Sequence, residues 1–114
     1  MQLRYRSYEK EYLDSDYISS ADLFQTLKEL HVINKYLGGY KATLNGMDDI
    51  LKNKKPVKNI LDIGFGGGDF IRLISDYAKK QKQSMFFYGV DLKSDCINYA
   101  ESNLSSINNK KLIC

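Results

Sequence analysis

At 114 residues the chain has room for one domain or less. Hydrophobic residues at 43% and aromatics at 12% are too many for a disordered tail, and two cysteines (Cys96, Cys114) make neither a disulfide framework nor a zinc ligand set. A net charge of +3 falls short of the footprint of a nucleic-acid binder, so charge here speaks to solubility rather than to function.

Residues 1–19 are polar and dotted with Tyr5, Tyr8, Tyr12 and Tyr17, without a sustained period. The start is basic but lacks an apolar core behind it, so it does not read as a signal peptide. No apolar run is long enough to span a bilayer, and the default compartment is the cytoplasm. The tyrosines are expected to pack over a sheet surface. Ser19-Ser20-Ala21-Asp22 has capping-box spacing, and Leu23, Leu27, Leu30, Ile33 and Leu37 then form one helical stripe. Gly38-Gly39 supplies the left-handed stop. A second helix carries Tyr40, Leu44, Met47 and Leu51 on one face and ends before Pro56. His31, inside the first helix, has no acid or cysteine that the pattern brings near it. Asp48-Asp49 are adjacent acids that point different ways.

The basic run over 52–58 surrounds the one proline and reads as a solvated link. After it the period changes. Ile60-Leu61-Asp62-Ile63 closes a short apolar run that stops at glycine, the pattern of a strand buried on both faces. A helix with Phe70, Leu73, Ile74 and Tyr77 on one face follows, and Lys79, Lys80 and Lys82 crowd its C-terminal end, where the helix dipole favours cations. The stretch from Met85 to Asp91 is a second strand. Ser94 is expected to cap a helix with Ile97, Ala100, Leu104 and Ile107 inside, and Lys111-Leu112-Ile113-Cys114 begins a third strand. Cys96 in that helix's first turn reads as structural. Strand–helix–strand–helix–strand with short links predicts an α/β chain: an N-terminal helical segment over 1–56, then the first half of a Rossmann-like, doubly wound parallel sheet over 57–114.

The chemistry concentrates in Leu61-Asp62-Ile63-Gly64-Phe65-Gly66-Gly67-Gly68-Asp69. Glycines between a buried strand and a helix permit positive φ and let a ligand approach backbone closely. A P-loop needs Gly-Lys-Ser/Thr next, and Asp69-Phe70 stand there instead. The dinucleotide spacing fails as well, because its third glycine falls on Asp69 or Ile71. What fits is Gly64-x-Gly66-x-Gly68 after aliphatic–Asp–aliphatic. This stretch resembles the first motif of the class I S-adenosylmethionine-dependent methyltransferases. Tyr88-Gly89-Val90-Asp91-Leu92 resembles the end of that family's second strand. Phe65 stands where a small residue or Cys is usual in the family, and Gly67 where Thr or Ser is common.

The resemblance implies S-adenosyl-L-methionine as cofactor, held by Asp62, Gly64, Phe65, Gly66, Gly68, Asp91 and Leu92. Asp91 would accept the ribose hydroxyls, Asp62 would stand near the amino end of the methionine, and Leu92 would flank the adenine. No metal ligand and no catalytic base is assigned. Residues 6–14, 27–30 and 33–39 resemble the leader of a small-molecule-type bacterial subgroup, whose leading helices cap the cofactor and shape the acceptor site. The expected activity is methyl transfer to a small-molecule acceptor. In the family's sheet a later strand lies beside strand one, so the first strand is expected to be a bare edge. That makes the chain either the N-terminal portion of a longer enzyme or a homo-oligomer paired through this edge. The alternatives are a non-enzymatic partner-binding module built on a degenerate half, and an RNA methyltransferase fragment sharing the same loop.

Overall fold

In the computed structural model, residues 6–11, 17–53 and 56–114 are described. Four helices and three strands follow one another as α1 (Ser20–Tyr36), α2 (Gly39–Lys52), β1 (Asn59–Ile63), α3 (Asp69–Lys80), β2 (Phe86–Val90), α4 (Ser94–Asn103) and β3 (Lys110–Ile113). Tyr5, Tyr12, the leader residues 12–14 and the basic-run lysines Lys54 and Lys55 lie outside the described residues. Among those described, no helix is long and apolar enough to cross a membrane.

Local chemistry sets most boundaries where the pattern put them. Ser19 Oγ accepts the Asp22 amide at 3.1 Å, starting α1. Gly38, at φ +90°, turns the chain from α1 into α2. The cap of α4 differs: Lys93 is the N-cap and Ser94 the first helical residue. The physical reason is Asp91, whose Oδ1 takes the Lys93 amide at 3.0 Å and so fixes the entry one residue earlier.

The sheet is parallel in the order β1-β2-β3, and β1 pairs only with β2 among the described strands. Two right-handed crossovers running in one direction place α3 and α4 on the same face. Burial agrees with that placement. Phe87 and Gly89 of β2 are buried on that face, against Ile71, Ile74 and Ala78 of α3 and Cys96 and Ala100 of α4, with Leu104 and Ile107 just beyond it. The inner face of α4 therefore turns on Cys96 rather than on Ile97, which is half-buried. On α3 the apolar surface is wider than one stripe. Ile71, Ile74, Ser75 and Ala78 meet the sheet, while Phe70 and Tyr77 reach α2, through an edge-on contact with Tyr40 and a hydrogen bond from Tyr77 to Asp48.

Among the described residues, the opposite face of the sheet is bare. Leu61 (59% exposed), Ile63 (78%), Tyr88 (40%) and Ile113 (48%) share it, and the expectation that β1 is buried on both faces does not hold. Apolar composition pointed to two covers, whereas α3 and α4 supply only one. The α1 stripe is divided in the same way: Leu23 and Leu27 are buried, while Leu30, Ile33 and Leu37 project beyond the packed region. Tyr8 and Tyr17 are 91% and 97% exposed, so these two do not pack over the sheet.

Phe87→Ala on the covered face is expected to cost about 3–5 kcal/mol in urea unfolding. Leu61→Ala on the bare face should cost under about 1 kcal/mol, and equal costs would show both faces to be packed.

Candidate functional site

The C-terminal ends of β1 and β2 hold the site. Gly64, Gly66 and Gly68 have φ of +73°, +54° and +80°, so the turn from β1 into α3 uses a left-handed conformation at every second residue. That is the conformational demand behind the Gly-x-Gly-x-Gly spacing. A Cβ on Gly68 would lie 2.7 Å from Leu104, and one on Gly66 would lie 3.0 Å from Leu27 of α1, whereas one on Gly64 would meet nothing within 4 Å. Gly68 thus packs the turn onto α4, Gly66 lets α1 close over it, and Gly64 faces open space.

Asp91 follows β2 and crosses to this turn. Its Oδ2 accepts the Gly66 amide at 2.9 Å and its Oδ1 accepts the Lys93 amide at 3.0 Å. A carboxylate offers about four lone-pair sites, so two backbone donors and the Cys96 thiol still leave it acceptor capacity. The Cys96 thiol lies beside Asp91, where burial and that charge push its pKa up to about 11, so it stays a neutral thiol.

A cleft of about 760 Å³ opens between this tip and α1. Gly64, Gly66, Asp91 and Leu92 line it, together with Leu27 and Leu30 from α1. Four of the seven residues proposed from the sequence are thereby brought to one opening. The other three are arranged differently. Phe65 is 4% exposed and turns its ring inward, over Gly89, where a Cβ would approach it to 2.7 Å. Gly68 acts through backbone geometry against Leu104. Asp62 points toward the helices, and its Oδ2 is buried with no hydrogen-bond partner among the described residues.

The lining leucines of α1, and Lys93 and Cys96, were missed as site residues. The signal for Leu27 and Leu30 is the α1 stripe, together with the leader resemblance over 27–30, which implies a capping helix without singling out these side chains. His31 also departs from expectation. Its Nδ1 lies 2.6 Å from Tyr40 Oη and 3.5 Å from Asp69 Oδ1, so an acid partner is present where none was foreseen. The partners sit in α2 and at the first residue of α3, which no local spacing could bring together.

Burial, and then the neighbouring Asp91 charge, raise the Asp62 pKa above its ordinary 3.8. A carboxyl with a raised pKa holds its proton more tightly in the folded state, so stability falls as pH rises through the interval above the unfolded value. Asp62→Asn is therefore expected to raise Tm at pH 7–8, with the gain vanishing below the ordinary carboxylate value. Thermal melts across pH check it, and a pH-independent gain would refute this origin.

No family model matches the chain, and no curated protein matches it. Among solved structures it is similar to a Methanococcus maripaludis protein provisionally assigned as an S-adenosyl-L-methionine-dependent methyltransferase. The TM-score is 0.57 at 14% identity, covering 95% of this chain and 44% of that one. It is also matched to a SAM-dependent methyltransferase from Aquifex aeolicus, with TM-score 0.41 and 21% identity over 58% of this chain and 36% of that one. The chain shares the α/β, Rossmann-like fold of the Methanococcus maripaludis protein as a partial domain, and it spans less than half the length of either neighbour.

Proposed function

We propose that the chain is the donor-binding portion of an S-adenosyl-L-methionine-dependent methyltransferase that acts on a small-molecule acceptor. The observation that carries this is the Asp91 carboxylate bound to the Gly66 amide at the rim of the cleft. The residues present fit the cofactor. Spare acceptor sites on Asp91 suit paired ribose hydroxyls in charge-assisted hydrogen bonds. Gly64 opens onto free space, where a ligand can lie against backbone. The unpartnered Asp62 oxygen suits the ammonium end of the methionine, reached through turn backbone or water. Leu92, 92% exposed at the lip, would flank the adenine.

Bound S-adenosylmethionine supplies a methyl group already activated by its sulfonium. The protein's share of such a transfer is alignment and exclusion of water. Leu23, Leu27 and Leu30 of α1 supply an apolar wall for that purpose, in keeping with a leading helix that caps the donor and borders the acceptor. The acceptor's small size is favoured over RNA by where the charge lies. Lys58, from the basic run, immediately precedes β1, at the end of the sheet opposite the cleft. A cytoplasmic setting accords with two free thiols.

Isothermal titration with S-adenosylhomocysteine tests the reading. Asp91→Ala is expected to weaken binding by about 1.5–3 kcal/mol, the value of a hydrogen bond to a charged group. Unchanged affinity would remove Asp91 from the site.

A second reading, a partner-binding module, is favoured by the bare sheet face and the open edge of β1. In that reading a second copy pairs along Asn59–Ile63. Sedimentation should then show a concentration-dependent dimer that Leu61→Lys abolishes, and a monomer at all concentrations would end the pairing proposal.

A further inference from the structure

A cluster on the far side of the glycine turn from the cleft lies outside the donor site just described. Asp69 is the first residue of α3, immediately after Gly68, and its Oδ1 accepts Asn103 Nδ2 at 3.2 Å. The same Asn103 amide donates to the Gly67 carbonyl at 2.8 Å, so Asp69 and the turn are gripped together from α4. From the other side His31 of α1 approaches Asp69 Oδ1 at 3.5 Å, and its Nδ1 lies 2.6 Å from Tyr40 Oη of α2. Tyr40 in turn packs edge-on against Phe70, with ring centroids 5.1 Å apart. Four helices therefore converge on the carboxylate that ends the turn.

We infer that His31 and Tyr40 are positioning residues, which latch the α1–α2 pair onto Asp69 and thereby hold the Gly64–Gly68 turn in its ligand-receiving curvature. The ligand arm of this inference rests on the proposed donor site. Burial and the Asp69 charge push the Tyr40 phenol up to about 12, so at neutral pH it stays a neutral hydroxyl whose oxygen can accept the His31 Nδ1–H, the same hydrogen that faces Asp69 Oδ1. That hydrogen bond fixes the imidazole ring beside Asp69. The latch is off the donor site itself: none of His31, Tyr40, Asp69 and Asn103 lines the cleft. It acts on the same turn that Leu27 of α1 covers at Gly66, so loosening it releases the turn and its apolar cover together.

The test uses Tyr40→Phe, which removes one hydroxyl and keeps the ring against Phe70, together with His31→Gln, Asp69→Asn and the His31/Asp69 double variant. Amide hydrogen exchange is followed at Gly66–Gly68 and, as a core reference, at Ile71 and Phe87. Each single variant is expected to accelerate exchange in the turn about fivefold or more while the core amides hold their rates. S-adenosylhomocysteine affinity should fall about fivefold in each, and the double variant should lose no more than the worse single one, because both act through one contact. Unchanged turn amides overturn the latch, as does equal acceleration of turn and core, which would mark a merely structural role. Losses that multiply in the double variant also overturn it. If the turn amides respond but the unaltered protein binds no S-adenosylhomocysteine, the latch stands and the donor-site reading falls.

Discussion

The bond from the Gly66 amide to Asp91 decides the shape of everything around it. It joins the turn after one strand to the tip of the next, so the two ends cannot separate without leaving a carboxylate or an amide short of a partner. Gly66 is also the residue on which Leu27 rests from above. One glycine is thus held between a charge beneath and a leucine over it: its φ of +54° favours glycine, and a Cβ there would lie 3.0 Å from Leu27. The cleft exists because these two constraints meet at a residue with no side chain. Gly64, two positions earlier, has the same backbone freedom but nothing near it, and it is there that the turn is open to a ligand.

What the amino-acid sequence disclosed about this site follows from how local the causes are. Gly64, Gly66 and Gly68 are legible because positive φ is a property of single residues. Asp91 is legible because strand length and helix length fix how far along the chain the neighbouring tip must lie. Phe65 was not legible in the same way. Its ring turns inward only because Gly89, far along the chain in the next strand, leaves a gap there, and two residues that need each other across strands give no local sign. His31 is a stronger case. Its partners come from α2 and α3, and only the docking of the helical pair onto the sheet makes them neighbours.

The bare face of the sheet shows a different limit. Composition reports the surroundings a strand is suited to, and the Ile60–Ile63 run is apolar on both of its sides, apart from Asp62. The structure covers the side shared by Ile60 and Phe87 and leaves Leu61 and Ile63 open. Both observations are sound, and their disagreement marks a surface suited to burial beside an unpaired strand edge. Phe86 and Tyr88 pack at a tilt on that same surface with centroids 4.9 Å apart, so the aromatic content of β2 is divided between the packed core and the open face. The edge and the face run along the same strand, and whatever covers one has to meet the other.

The charges at the cleft end narrow what can bind there. The chain as a whole carries +3, yet Asp62, Asp69, Asp91 and Asp95 gather around the glycine turn and the start of α4. Asp95 accepts a hydrogen bond from Ser20 at 2.7 Å, and Asp69 is shared by Asn103 and His31, so both are spent on holding helices in place. Burial, and then the Asp91 charge, raise the cost of ionising Asp62, which is left with an oxygen that nothing described satisfies. A glycine turn leading into a helix ordinarily favours an anion. Here the acids oppose that preference, and a ligand bearing phosphate would meet like charge where its backbone donors should be. A ligand with neutral hydroxyls and no phosphate avoids that repulsion, and Asp91 at the cleft rim offers acceptor oxygens to such hydroxyls.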